Sequence, residues 1–291
     1  MTAPPRFRHF AGIDWSGAVG ERQKGIRVAL CAAGRDAPAL VRPDHVWSRP
    51  EILAWLIDDL PPDTLVGLDL GTALPFFDRG GYFPDWNESP PDARSLWALV
   101  DRICAGDPHL AASSFVDHPD AARHFRRHGG RTGDLFPPGR GRWRIAEHAQ
   151  AALGLNPVSN LNLVGAAQVG KSSLTGMRML HRLSGHLPIW PFDPDPGHGS
   201  LVVEIYSSLA AREAGGRAGR SKLRDVSALN DALAALGSGA IAGSGAIDDH
   251  ASDALLTAAW LRVAAVRAAL WHPRAMTNDV AQIEGWTFGA P

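Results

Sequence analysis

Six acidic or imidazole side chains occupy positions that packing alone does not explain. Asp14 closes the apolar run Phe10-Ala-Gly-Ile, and Asp69 closes Thr64-Leu-Val-Gly-Leu. Glu204 follows Leu201-Val-Val. Asp249, His250 and Asp253 open a long stretch of Ala, Leu, Val and Trp. A carboxylate carried into apolar surroundings is costly unless it is paired or binds a cation. Asp249 and Asp253 are four residues apart, and His250 and Asp253 three apart, so each pair shares a helix face. A helix N-terminus eases the crowding of acids. A divalent cation does so better, and Mg²⁺ or Mn²⁺ takes carboxylate oxygens while keeping positions open for a phosphate. Two such ions about 4 Å apart serve phosphodiester cleavage.

Each residue also has a plainer reading. Asp14 can cap a turn through Ser16 or Gly17, and Asp69 can bond the amides of Gly71 and Thr72. Glu204 can face solvent from an edge strand. Asp248 and Asp249 are ordinary helix caps, and His250 can simply be exposed. Asp253 lies one turn inside the helix, a poor capping position.

The elements that would position these groups read as α/β. Strands are expected at 10–14, 25–33, 40–47, 64–69 and 199–206. Between the third and fourth, Ser48, Pro50 and Glu51 form a capping-box start to a helix that stops at Pro61-Pro62. Further helices are expected at 94–105, 145–155, 173–184, 227–236 and 247–270, with a proline-rich connector at 188–199 and a flexible glycine linker at 237–245. The reading is one domain over residues 1–291: a five-stranded mixed sheet flanked by helices. A long insertion at about 76–198 separates strands four and five.

The pieces Gly12-Ile-Asp-Trp-Ser-Gly, Gly67-Leu-Asp-Leu-Gly-Thr-Ala-Leu-Pro, Val203-Glu-Ile-Tyr, Asp248-Asp-His-Ala-Ser-Asp-Ala-Leu and Glu284-Gly-Trp resemble the DUF429 family of predicted ribonuclease H-like nucleases. The resemblance implies a ribonuclease H-like fold and a metal-dependent nuclease. In such nucleases the first strand, the fourth strand and the last helix supply the metal-binding acids. Carried over, these are Asp14, Asp69 and Asp253, holding Mg²⁺ or Mn²⁺, with Glu204, Asp249 and His250 assisting. His250-Ala-Ser-Asp253 is also similar to the His-x-x-Asp pattern of RuvC-type nuclease domains.

Two phosphate-loop readings compete. Gly165-Ala-Ala-Gln-Val-Gly170-Lys171-Ser172 matches the Walker A pattern, which needs a strand directly before it. Asp69-Leu-Gly-Thr72 resembles the phosphate loop of actin-like ATPases and sugar kinases. Either would make the protein an ATPase or phosphotransferase. A third alternative is a non-catalytic binding module whose acids are structural.

Arg123, Arg126, Arg127, Arg131, Arg140, Arg142 and Arg144, interleaved with Phe125, Phe136 and Trp143, are candidates to contact nucleic acid or another phosphate-bearing substrate. The chain as a whole carries no such bias, because 29 basic and 30 acidic residues leave a net charge of −1. Cys31 and Cys104 have no close Cys or His partner in sequence, so a disulfide framework or Cys-based zinc site is not expected. With no basic-then-apolar leader and no apolar run near ~18 residues, the expectation is a cytoplasmic protein without a membrane span.

Overall fold

The computed structural model describes residues 5–165, 169–216 and 222–291. Its centre is strand β1, His9–Asp14. On one side β1 pairs antiparallel with β2, Arg27–Ala32, which pairs antiparallel with the short β3, Ala39–Leu40. On the other side it pairs parallel with β4, Thr64–Asp69. Next come β6, Leu201–Glu204, and the edge strand β5, Ile189–Trp190, both parallel. The sheet order is β3-β2-β1-β4-β6-β5.

The mixed α/β sheet therefore has six strands where five were expected. The added strand lies in the segment read as a connector, and only two residues of it pair. The third strand is shorter than the sequence suggested. Arg42 takes a positive φ of 52°, and Pro43 has no N–H to give a ladder, so the pairing ends with the bond from the Val41 N–H to the Val28 carbonyl.

Strand alternation sorts the core into two layers. Ala11, Ile13, Val66, Leu68 and Val202 face one side. They pack there with residues of the helices Arg49–Ala54, Ala93–Ile103 and Val169–Leu183. The residues read as an insertion thus supply much of one layer of the core. Phe10, Leu65 and Val203 face the other side, under the helices Ser207–Glu213, Val226–Ala235 and Asp249–Ala264. The first helix starts as its sequence says, with Ser48 and Glu51 forming a reciprocal capping box. The last long helix is shorter than expected. It ends at Ala264, and a separate turn, Ala268–Trp271, follows.

Two glycines set how closely that last helix lies on the sheet. Gly12 and Gly67 are register partners on β1 and β4. A Cβ on Gly12 would stand 2.3 Å from the Ala254 carbonyl oxygen and 2.9 Å from the Ala258 nitrogen. A Cβ on Gly67 would meet Ile205 and Leu261, each at 2.9 Å. Because the obstacle at Gly12 is helix backbone, Gly12→Ala is expected to cost about 3 kcal/mol of stability. Urea unfolding measures this, and an unchanged midpoint would mean the helix does not seat on that glycine.

Among the described residues no helix is long and apolar enough to cross a membrane. Cys31 and Cys104 are free and buried.

Candidate functional site

Asp14 and Asp69 are register partners at the ends of parallel strands. Both fall on the even-spaced face that carries Phe10 and Gly12 on β1 and Leu65 and Gly67 on β4. That is the face under the helix Asp249–Ala264. Close seating of the helix on Gly12 brings its first turns over the strand ends. There the His250 Nδ1 lies 2.6 Å from the Asp14 Oδ2. Asp14, Asp69, His250 and Asp253 line a single cleft of ≈ 950 Å³, together with Lys171 and Lys222.

The charges in this cleft are poorly compensated. Burial lifts the Asp14 carboxyl above its ordinary value, against the opposing pull of His250. Asp69 is pushed well up by burial and then by the negative charges of Asp14 and Asp253; Ser207 opposes this with its hydroxyl and its backbone N–H. Asp253 is raised to about 7, again by burial first and by Asp14 next. Neither Asp69 nor Asp253 has an ion-pair partner among the described residues. His250 is raised above its usual value chiefly by its hydrogen bond to Asp14. Like charges held at a concave site, with each disfavouring ionisation of the next, mark functional positions more often than structural ones.

The other acids have partners. Asp249 is bonded by the Lys222 Nζ at 2.8 Å and an Arg224 Nη2 at 3.2 Å, and the Lys222 bond is the main cause that holds it at about 2. Asp248 caps the helix and pairs with Arg27 at 3.3 Å. Asp248, Asp249 and His250 have ligand atoms within 4.8 Å of one another, a tighter group than Asp14, Asp69 and Asp253 form. Basic side chains already neutralise both of its carboxylates, however. In the cleft Asp69 and Asp253 have no basic partner among the described residues and Asp14 has His250 alone; carboxylate oxygens are the ligands a hard cation takes.

Arg144 and Glu204 also line this cleft, but Glu204 reaches it from the opposite face of the sheet. It is the register partner of Leu68, so it belongs to the face opposite Asp69. Its carboxylate, 3% exposed, accepts from Arg144 Nη2 at 2.5 Å, from the Thr72 backbone N–H and hydroxyl at 2.7 Å each, and from the Thr287 hydroxyl. Burial pushes Glu204 up, but Arg144 and the two threonines bring it below its usual value. The geometry makes it a member of a buried ion-pair network.

The arginine run divides in the same way. Arg142 and Arg144 need correction as substrate contacts, because both guanidiniums are buried. Arg142 is held by Asp78 and by the carbonyls of Pro75, Gly81 and Tyr82. Arg144 is held by Glu147 and Glu204. The aromatic-rich segment needed internal cations to satisfy its turned backbone carbonyls. Arg123 pairs with Asp134, Arg140 stands over the Trp143 ring at 5.8 Å, and Arg126 is exposed. Arg127 and Arg131 both reach Asp117.

For the Walker-like stretch, residues 166–168 lie outside the described residues. Gly165 precedes them, and Gly170, Lys171 and Ser172 fall in the first turn of the helix Val169–Leu183. Before it, 161–164 form no strand; Asn162 makes one isolated bridge to Arg126. The strand a nucleotide-binding P-loop springs from is missing among the described residues. The Asp69–Thr72 turn is likewise committed: Thr72 binds Glu204 and its carbonyl accepts from Trp97.

Sequence reasoning did not find Ser207, Lys222 or Arg224. Ser207 starts the helix just beyond β6, one strand over from Asp69, and that adjacency was its only signal. Comparison with protein-family models, with curated proteins and with solved structures returns no match.

Proposed function

We propose that the chain is a metal-dependent phosphodiesterase of the ribonuclease H-like kind, with Asp14, Asp69 and Asp253 holding Mg²⁺ or Mn²⁺. The observation that supports this most is the gathering of those three carboxylates in one cleft, with Asp69 and Asp253 lacking any ion-pair partner among the described residues. They come from the first strand, the fourth strand and the last long helix, where the resemblance names the last helix; two short helices, Ala268–Trp271 and Asn278–Ile283, follow it here. A bound divalent ion supplies a nucleophilic water and a counter-charge for the leaving oxygen. The chain's own groups do the positioning. Ser207, at the start of the helix after β6, favours the charged form of Asp69 through its hydroxyl and backbone N–H. His250 fixes Asp14 through Nδ1, which leaves its Nε2 to carry a proton at the cleft wall. Gly25 leaves room for that ring, since a Cβ there would come within 3.3 Å of it.

Mg²⁺-dependent cleavage of DNA, RNA and a small phosphate diester tests the reading. Asp14→Asn and Asp69→Asn are each expected to lose at least ~100-fold in rate, the scale on which even outer contacts to a metal act. Equal rates in the wild type and both variants rule the assignment out.

A further inference from the structure

Beside the acidic cleft lies a smaller one of ≈ 170 Å³. The two share Gly17, Ala18 and Lys171, so they form a continuous depression. Gly17 makes the junction possible: a Cβ there would stand 2.4 Å from the Lys171 carbonyl carbon and the Ser172 nitrogen. The walls of the smaller cleft are unusually positive. Arg49 is 1% exposed, and its guanidinium donates only to carbonyls: Ser16 and His109 at 2.9 Å each, and Ala18. Buried charges are normally met by an opposite charge, yet Arg49 has none among the described residues. Lys171 is half-buried and also lacks a carboxylate partner there. Arg127 and Arg131 share the single carboxylate of Asp117, at 3.1 and 3.5 Å. Four cationic side chains thus line this cleft against one acid, with His128 at its edge.

Resting on the phosphodiesterase reading, we propose that the smaller cleft is a phosphate subsite that holds the strand flanking the bond cut at Asp14, Asp69 and Asp253. The substrate is then a nucleic-acid strand, since a mononucleotide or small ester would not span both clefts. Lys171 joins the two clefts and takes the phosphate between them. Arg127 and Arg131 take the next, and the buried Arg49 charge supports both from behind. Among the described residues no Phe, Tyr or Trp lines this cleft. Recognition is therefore of backbone charge, with little dependence on base sequence.

Fluorescence anisotropy of labelled DNA and RNA single strands of ~10 nucleotides, in EDTA so that no cleavage occurs, provides the test. Lys171→Gln and Arg131→Gln are each expected to weaken binding on the order of ten-fold at low salt. Each should also reduce the slope of log affinity against log salt by about 0.7. Lys171→Arg should restore both readouts. Arg102→Gln, a surface arginine paired with Glu88 away from these clefts, should change neither. Unaltered binding in folded Lys171→Gln and Arg131→Gln, or an equal loss in Arg102→Gln, overturns the subsite. The outcome is independent of the cleavage test, because cleavage lost in Asp14→Asn with binding unchanged in Lys171→Gln leaves the phosphodiesterase standing without this subsite. Binding that falls in Lys171→Gln while cleavage survives in Asp14→Asn and Asp69→Asn shows a strand-binding cleft without the proposed chemistry.

Discussion

At pH 8 and without divalent metal, Asp253→Asn is expected to unfold at a higher temperature than the wild type. The sign follows from its carboxyl, which sits at about 7 in the fold against an ordinary 3.8. The native state therefore holds a proton that the unfolded chain has already lost between about pH 4 and pH 7. Stability contributed by this group falls as pH rises through that window, and above it the charged carboxylate is a standing cost. Removing the charge relieves about 2 kcal/mol, once partial solvent access is allowed for. In a chain of this size that is a rise of roughly 3 °C in Tm. Mg²⁺ should reverse the ranking, since a ligand that binds only the folded state stabilises the wild type and has lost a donor in the variant. A scan of Tm against pH, with and without Mg²⁺, reads all of this. A lower Tm for Asp253→Asn at pH 8, with Mg²⁺ acting alike on both proteins, would show that the carboxylate is structural. A site that weakens its own fold in return for function is a familiar trade.

The second large effect is at Arg144. Its guanidinium lies between Glu147 and Glu204, with all three side chains at most 6% exposed. Arg144→Ala is expected to cost about 3–5 kcal/mol, because it leaves both Glu147 and Glu204 buried without their counter-charge; Glu204→Ala should cost less, because Arg144 keeps Glu147. Replacing Arg144 and Glu204 together by apolar residues should cost less than the two single changes added, since Glu147 alone is then stranded where Arg144→Ala strands both acids. Urea midpoints of the singles and the double measure the coupling. The same variants decide what Glu204 does. If it is structural, Glu204→Gln, held folded by low temperature, keeps its affinity for Mg²⁺, whereas loss of metal binding at unchanged stability would return Glu204 to the metal site.

Sequence made Asp14 and Asp69 legible because each ends a short apolar strand, where a carboxylate stands out against Phe10-Ala-Gly-Ile and Leu65-Val-Gly-Leu. It made Ser48 legible as a cap because the pattern is local. Glu204 looked alike by the same criterion and differs through a property that no single strand carries. Only the pairing of Glu204 with Leu68, rather than with Asp69, turns it to the opposite face. Register between distant segments was likewise needed to see that Arg142 and Arg144 are internal. Their acids, Asp78 and Glu204, lie 64 and 60 residues away. The strand at Ile189–Trp190 escaped notice because two paired residues among prolines leave no periodicity to read.

The buried network around Arg144 also ties the end of the fold to its middle. Glu284 accepts from the backbone N–H groups of Phe76, Phe77 and Ile145, Thr287 bonds Glu204, and the Phe288 N–H donates to the Glu204 carbonyl. The bonds from Phe76 and Phe77 to Glu284 join residues more than two hundred positions apart, 208 and 207. Glu284, Thr287 and Phe288 therefore close a network that Arg144, Glu147 and Glu204 begin, so loss of that stretch would leave Glu204 without its Thr287 bond and the Ile145, Phe76 and Phe77 N–H groups without their acceptor.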